Sequence, residues 1–195
     1  MRYKASDKKQ THEKILQAAG RLFREKGYSG VGVDAIMAEA GLTAGGFYAH
    51  FDSKEALFSE VIKNILTKSN LSSSLEDKDK AEWLTSLIKG YLSRWHRDNA
   101  NQGCPLPVLT PDVTRSSNKT RSSYEQCLET FFLEIAQRMS KDPLQAKEQA
   151  IALTAQLVGG LMLARAINNE ELSNQVLKAC QKAALQICES TIKIN

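Results

Sequence analysis

Apolar residues recur along this chain at intervals of three and four, the spacing that puts them on one side of an α-helix. No run alternates apolar and polar residues as a half-buried strand would. Ile15, Leu16, Ala18, Ala19, Leu22 and Phe23 form the first stripe. Its helix is expected to start near Asp7, with Gln10 as an approximate capping box, or one turn later at Thr11. Gly27 supplies the stop, because glycine takes the left-handed conformation that closes a helix, and Tyr28 packs back on the end. A short helix over 33–40 carries Val33, Ile36, Met37 and Ala40 inward. Gly41, Leu42 and Thr43 then make a turn in which Leu42 plugs the corner and Thr43 caps the next helix. That third helix, 44–50, is very short. Two short helices joined by a glycine-containing turn predict a helix-turn-helix.

Asp52 or Ser53 is expected to cap a longer helix through Ala56, Leu57, Phe58, Val61, Ile62, Ile65 and Leu66. Residues 69–80 are polar and read as a connector. Beyond them Trp83, Leu84, Leu87, Ile88, Tyr91, Leu92 and Trp95 share one helical stripe. Gly103, Pro105, Pro107 and Pro111 break the pattern over 99–111, and helices resume over 124–139, 144–167 and 170–192. No internal repeat occurs. The fold class is all-α. Its expected division is an N-terminal three-helix head over 1–54, with a basic arm over 1–9, and a helical body over 55–195.

Composition narrows this picture. The chain has 195 residues, 42% hydrophobic and 25% charged, enough apolar surface to exclude low-complexity disorder. Four cysteines are too few for a disulfide scaffold, and no C-x-x-C pair suggests zinc. The apolar stretch 157–164 is far short of a membrane span, and the polar N-terminus lacks a secretory apolar region. A cytoplasmic, reducing location is the expectation. The net charge of +4 is uneven: residues 1–54 hold nine Lys/Arg against six acids, the rest 17 against 16. A positive end on a neutral body suits a polyanion, although a solvated basic tail has the same charge.

The segment 41–54 is the most informative. Ala44, Gly45, Gly46 and Ala49 lack bulk, so the backbone can lie close to a DNA groove. Tyr48 and His50 can reach phosphate or base edges, while Phe47 and Phe51 anchor the segment inside. Two glycines that oppose helix formation, beside a Tyr and a His, serve little packing purpose. This stretch resembles the DNA-binding domain of the TetR family of bacterial transcriptional regulators. The matching residues are Ile15, Leu16, Ala18, Ala19, Leu22, Phe23, Gly27 and Tyr28, then Ile36, Ala40, Gly41, Leu42 and Thr43. Gly46, Phe47, Tyr48, His50, Phe51, Ser53, Lys54, Glu55 and Leu57 complete the set. The resemblance implies DNA binding for the head over 1–54, and effector binding and dimerisation for the body over 55–195. It implies that Thr43, Ala44, Gly45, Gly46, Tyr48, Ala49 and His50 face a double-stranded operator and that Lys54 clamps a phosphate. The arm from Arg2 to Lys9 could add backbone or minor-groove contacts. Val31, Gly32 and Ala44 depart from the family pattern and remove a hydroxyl cap and a cation.

In the body, Leu172, Val176, Cys180, Ala183, Ala184, Ile187, Cys188 and Thr191 form a stripe, preceded by a helix rich in small residues (Ala150, Ala152, Ala155, Gly159, Gly160). The resemblance implies a four-helix homodimer interface; an ordinary intramolecular pair reads the same. It also implies a small-molecule effector enclosed by Trp83, Leu87, Tyr91, Trp95, Tyr124, Phe131, Phe132, Gln156 and Met162, a mostly apolar set. Cys104, opening a short helix, is either a thiol of lowered pKa that senses electrophiles or oxidants, or a small packed residue. Cys180 and Cys188 read as packing. No nucleophile arrangement surrounds His12, His50 or His96, and no phosphate loop or paired metal ligands occur, so no enzyme, cofactor or metal is expected. The rival of another class is a helical protein-binding adaptor, which would not need Gly45, Gly46 and Tyr48.

Overall fold

The structure is a computed structural model, and it describes residues 5–67, 79–139 and 142–192. Arg2 and Lys4 of the arm and most of the connector lie outside the described residues, as do the side chains of Ile65, Leu66 and Thr191. The described residues form helices and turns: α1 (Ala5–Lys26), α2 (Val33–Glu39), a 3₁₀ segment (Ala44–Ala49), α3 (Lys54–Thr67) and α4 (Lys80–Tyr91). Then come α5 (Arg94–Asp98), a 3₁₀ turn (Ala100–Gln102), α6 (Leu106–Val113), α7 (Asn118–Ala136), α8 (Pro143–Ala166) and α9 (Glu170–Ile192).

The chain divides into two compact units, Met1–Lys68 with Asn101–Cys127, and Ser69–Ala100 with Leu128–Asn195. The first unit runs past the expected division at Lys54 for a packing reason. Leu57, Phe58, Val61 and Ile62 of α3 share one core with Ile15, Phe23, Ile36 and Phe47, and Leu109, Val113 and Cys127 join it from α6 and α7. Gly27 closes α1 at φ 71° and Gly41 makes the α2 turn at φ 70°, both in the left-handed region that disfavours side chains. Ser53 caps α3, its Oγ accepting the Ala56 N–H at 3.0 Å. Thr43 does not cap: it holds the N-cap backbone geometry, but its side chain makes no cap hydrogen bond. Gly32 ahead of α2 has no side chain to offer, as its sequence implies.

In the second unit, Trp83, Leu84, Leu87, Ile88 and Tyr91 fill the inner face of α4, and Asp79 caps that helix. The stripe predicted to reach Trp95 is cut short. The backbone leaves the helix at Leu92 and restarts at Ser93, whose side chain accepts the His96 N–H. This shift of register buries His96 and leaves Trp95 57% exposed. The long pair α8 and α9 packs closely because Gly160 has no side chain: a Cβ there would stand 2.8 Å from both Cβ and Sγ of Cys180. On α9 the buried line is Ser173, Leu177, Ala184 and Cys188, so Leu172, expected in the stripe, stays 49% exposed. Helix α8 is long and apolar enough by composition to cross a membrane. Here, however, its Ala146, Ala150, Leu153, Leu157, Leu161 and Ala164 face is buried in the unit.

Candidate DNA interface

The segment after Gly41 is held from below and open above. Phe47 is fully buried and Phe51 is 4% exposed, which fixes the 3₁₀ segment to the core. Thr43, Ala44, Gly45 and Ala49 are exposed, and Tyr48 is 71% exposed. A Cβ at Gly45 would meet nothing within 4 Å, and one at Gly46 only Met37 Cε at an ordinary 3.6 Å. Neither glycine is demanded by the interior. Their effect is a thin, uncharged backbone surface on which Tyr48 is the one large side chain. The predicted helix is a 3₁₀ segment here, tightened over six residues that include two adjacent helix-opposing glycines.

The rings of this region make a row. Tyr48 meets Phe47 edge-on at 5.2 Å between centroids, and Phe47 meets Phe51 at 5.7 Å. Phe51 stacks on His12 at 4.3 Å, and His12 lies 6.2 Å from His50. His12 Nε2–H donates to Glu60 Oε1 at 2.7 Å, joining α1 to α3. The His50 ring has Nδ1 buried without a hydrogen-bond partner. Burial, then His12 and Lys8, pull the His50 pKa below its ordinary value.

Lys54 is placed differently from an open phosphate clamp. Its ammonium donates to the carbonyls of Tyr28 and Val31, both at 2.8 Å, and sits 4.1 Å from the Tyr28 ring centroid. Burial pulls its pKa down, partly offset by Asp112. The charge thus closes the loop between α1 and α2, with at most one ammonium N–H left for DNA. Asp112 of α6 accepts the Tyr28 N–H at 2.8 Å, and Glu55 accepts the Ser117 N–H at 2.8 Å. These contacts, like His12–Glu60, join residues 48 to 84 positions apart and left no sequence signal. Arg21 and Glu39 pair at 2.8 Å between α1 and α2, an exposed bridge worth about 0–1 kcal/mol.

Of the expected effector-lining residues, Trp83, Leu87, Tyr91 and Phe131 are buried in the second unit and Gln156 is half-buried. Phe132 is half-buried, while Met162 and Trp95 are exposed, Trp95 because of the Ser93 restart. Tyr124 belongs to the first unit, its hydroxyl 2.6 Å from Thr110 Oγ1. Trp83 Nε1 is buried with no hydrogen-bond partner, and Arg138 lies over its ring at 4.2 Å. A hollow on α9 lined by Lys178, Gln181, Lys182, Leu185 and Gln186 shares no residue with this set. Cys104 is half-buried and close enough to Arg24 to affect its charge; all four cysteines are thiols outside any disulfide.

Residues 15–61 match the family described as bacterial regulatory proteins, tetR family. The HTH-type transcriptional regulator LmrA of Bacillus subtilis (strain 168) is 26% identical over 166 residues, covering 82% of this chain and 88% of LmrA. The transposon Tn10 TetC protein of Escherichia coli is 32% identical over 107 residues, covering 54% of each chain. Among solved structures, the reduced form of E. coli NemR superposes with a TM-score of 0.75 at 19% identity, covering 90% of this chain and 95% of that one. A TetR-family regulator from Agrobacterium tumefaciens gives 0.75 at 17% identity, covering 92% and 97%. With an all-α fold, a glycine-turned helix-turn-helix and this match across residues 15–61, the chain belongs to the TetR family of transcriptional regulators.

Proposed function

We propose that this chain is an effector-released repressor that binds a palindromic operator as a homodimer in the cytoplasm. The head over 1–54 reads DNA, and 55–195 supplies dimerisation and effector binding. The observation that carries the reading is the open surface of Thr43, Ala44, Gly45, Gly46, Tyr48, Ala49 and His50, held on buried Phe47 and Phe51. A protein-binding adaptor has no use for Gly45, which the interior does not require. Two-fold symmetry supports paired half-sites, because a dimer sets two recognition segments a helical turn or a multiple apart. On α8, Ile151, Met162 and Leu163 are 41%, 36% and 60% exposed beside small residues, a broad apolar surface suited to a second copy.

The effector is a small, mostly apolar molecule enclosed near Trp83, Leu87, Tyr91 and Phe131. The unpartnered Trp83 Nε1–H supports one that also brings a hydrogen-bond acceptor, because a buried donor left unmade costs about 1–3 kcal/mol. Release occurs if the effector binds one conformation better than the operator-bound one. A second reading rests on Cys104 beside Arg24, where a cation favours the thiolate that reacts with electrophiles or oxidants.

The DNA flanking the gene for this chain is the probe. Tyr48→Ala and Gly45→Gln are expected to lower affinity in a gel shift at least tenfold while thermal unfolding stays cooperative. Unchanged affinity in both variants overturns the reading. Cys104→Ser, with DNA release by oxidants measured alongside, decides the second: unaltered release removes the thiol from the mechanism.

A further inference from the structure

His12 lies outside the recognition segment, 38 positions before His50 in the chain, yet the fold seats it at the far end of the ring row that begins at Tyr48. Three contacts fix it: the hydrogen bond to Glu60 at 2.7 Å, the stack on Phe51 at 4.3 Å and the approach to His50 at 6.2 Å. A surface residue with a purely solvating role would not be held on three sides. His50 ends the 3₁₀ segment as its C-cap residue, with Nδ1 buried and unpartnered. An imidazolium carries N–H on both ring nitrogens, so charging this ring would leave a buried donor unmade. In the neutral ring the buried Nδ1 is only an unused acceptor, and the proton sits on Nε2.

We propose that His12 is a positioning residue for DNA recognition: locked between Glu60 and Phe51, it holds His50 as a neutral donor through Nε2, read by geometry instead of charge. The inference rests on the reading that His50 faces the operator. The charged and titratable groups around His50 are Lys8 and His12 from α1, with Glu60 of α3 engaged by His12. Both neighbours on α1 oppose a second positive charge, in agreement with the downward shift of its pKa. A neutral donor releases no counterion, so His50 contributes nothing to the salt dependence of binding, whereas a cation on phosphate contributes about one in the slope of log K against log salt.

The test has a part without DNA. In the free full-length protein, NMR titration of the His50 ring is expected to give a midpoint below the ordinary 6.5. His12→Ala removes part of the burial and the His12 ring, so the midpoint should rise; His12→Gln, with a flat amide that keeps the burial and a donor for Glu60, should leave it below that of His12→Ala. On the DNA flanking the gene, His12→Ala should weaken binding about tenfold and His12→Gln should restore it. His50→Gln should weaken binding with the salt slope unchanged, and wild-type affinity should stay flat from about pH 7 to 8. An ordinary His50 midpoint, or one that His12→Ala leaves unmoved, overturns the inference. So does an affinity that climbs on acidification and stops climbing in His50→Gln, or a slope that falls by about one in that variant. Wild type that ignores this DNA at every salt concentration counts against the operator reading instead, and the ring titration still decides what His12 does.

Discussion

Gly45 and Gly160 both lack a side chain, for opposite reasons. At Gly45 the space is empty, and at Gly160 it is full: Cys180 Cβ and Sγ would stand 2.8 Å from an added Cβ, and Leu92 Cδ2 3.2 Å. Overpacking a well-filled contact costs roughly 1–3 kcal/mol. Gly160→Ala should therefore lower the unfolding free energy by that order, read as a lower urea midpoint with the m-value unchanged. Cys180→Gly in the same chain should recover much of the loss, because it removes both clashing atoms at 2.8 Å. Additive effects of the two changes would show that α8 and α9 do not meet there. Lys54 makes a related point about charge. As a sequence letter it is a cation beside a recognition segment; in the fold its two carbonyl acceptors make it a clasp on the loop over residues 28–31.

At the scale of elements, period alone located α1, α2, α3, α8 and α9, because each repeats its apolar residues over enough turns for one face to stand out. It could not locate the break between α4 and α5. Trp95 continues the stripe of Trp83, Leu87 and Tyr91 on paper, and only the Ser93 restart turns it outward. A serine inside an apolar repeat is an ambiguous sign, since it can back-bond within a helix or cap a new one. The candidate site was legible where it is local, in the glycines, the exposed Tyr48 and the buried phenylalanines. It was not legible where it depends on partners 23 to 84 residues away, as for Lys54, His12 and Asp112. With only five residues, α5 depends on its cap. Ser93→Ala should cost about 0.5–2 kcal/mol of stability, read by chemical unfolding. Trp95 fluorescence should change below the main transition; one coincident transition would show that α5 does not fray separately.

For the molecule as a whole, acid should weaken the fold through His96. This ring is 5% exposed, and burial lowers its pKa, with the Tyr91 carbonyl opposing and Arg165 adding to the effect. A histidine that is harder to charge when folded takes up its proton more readily unfolded, so stability is full above the unfolded value near 6.5. It falls as the pH drops below that, and stops falling once the lower folded value is passed. Thermal unfolding between pH 8 and 5 should show this decline, reduced in His96→Gln; an equal decline in both proteins assigns it to other groups. Assembly is tested on α8. Leu163→Glu puts a charge on the exposed apolar surface of α8 without touching the buried face, so on the proposed homodimer sedimentation should show a dimer for the wild type and a monomer for this variant. A dimer that survives moves the interface elsewhere.

The uncharged surface from Thr43 to Ala49 also bears on time. Non-specific DNA binding is almost wholly electrostatic and lets a protein linger on and slide along sequences it does not want. A recognition surface with no cation of its own gives wrong DNA little to hold, leaving that hold to lysines and arginines elsewhere on the head. On the proposed DNA-binding reading, residence on random sequence should be short, and the search for an operator should proceed by many brief visits, each ended unless Tyr48 and His50 find their partners.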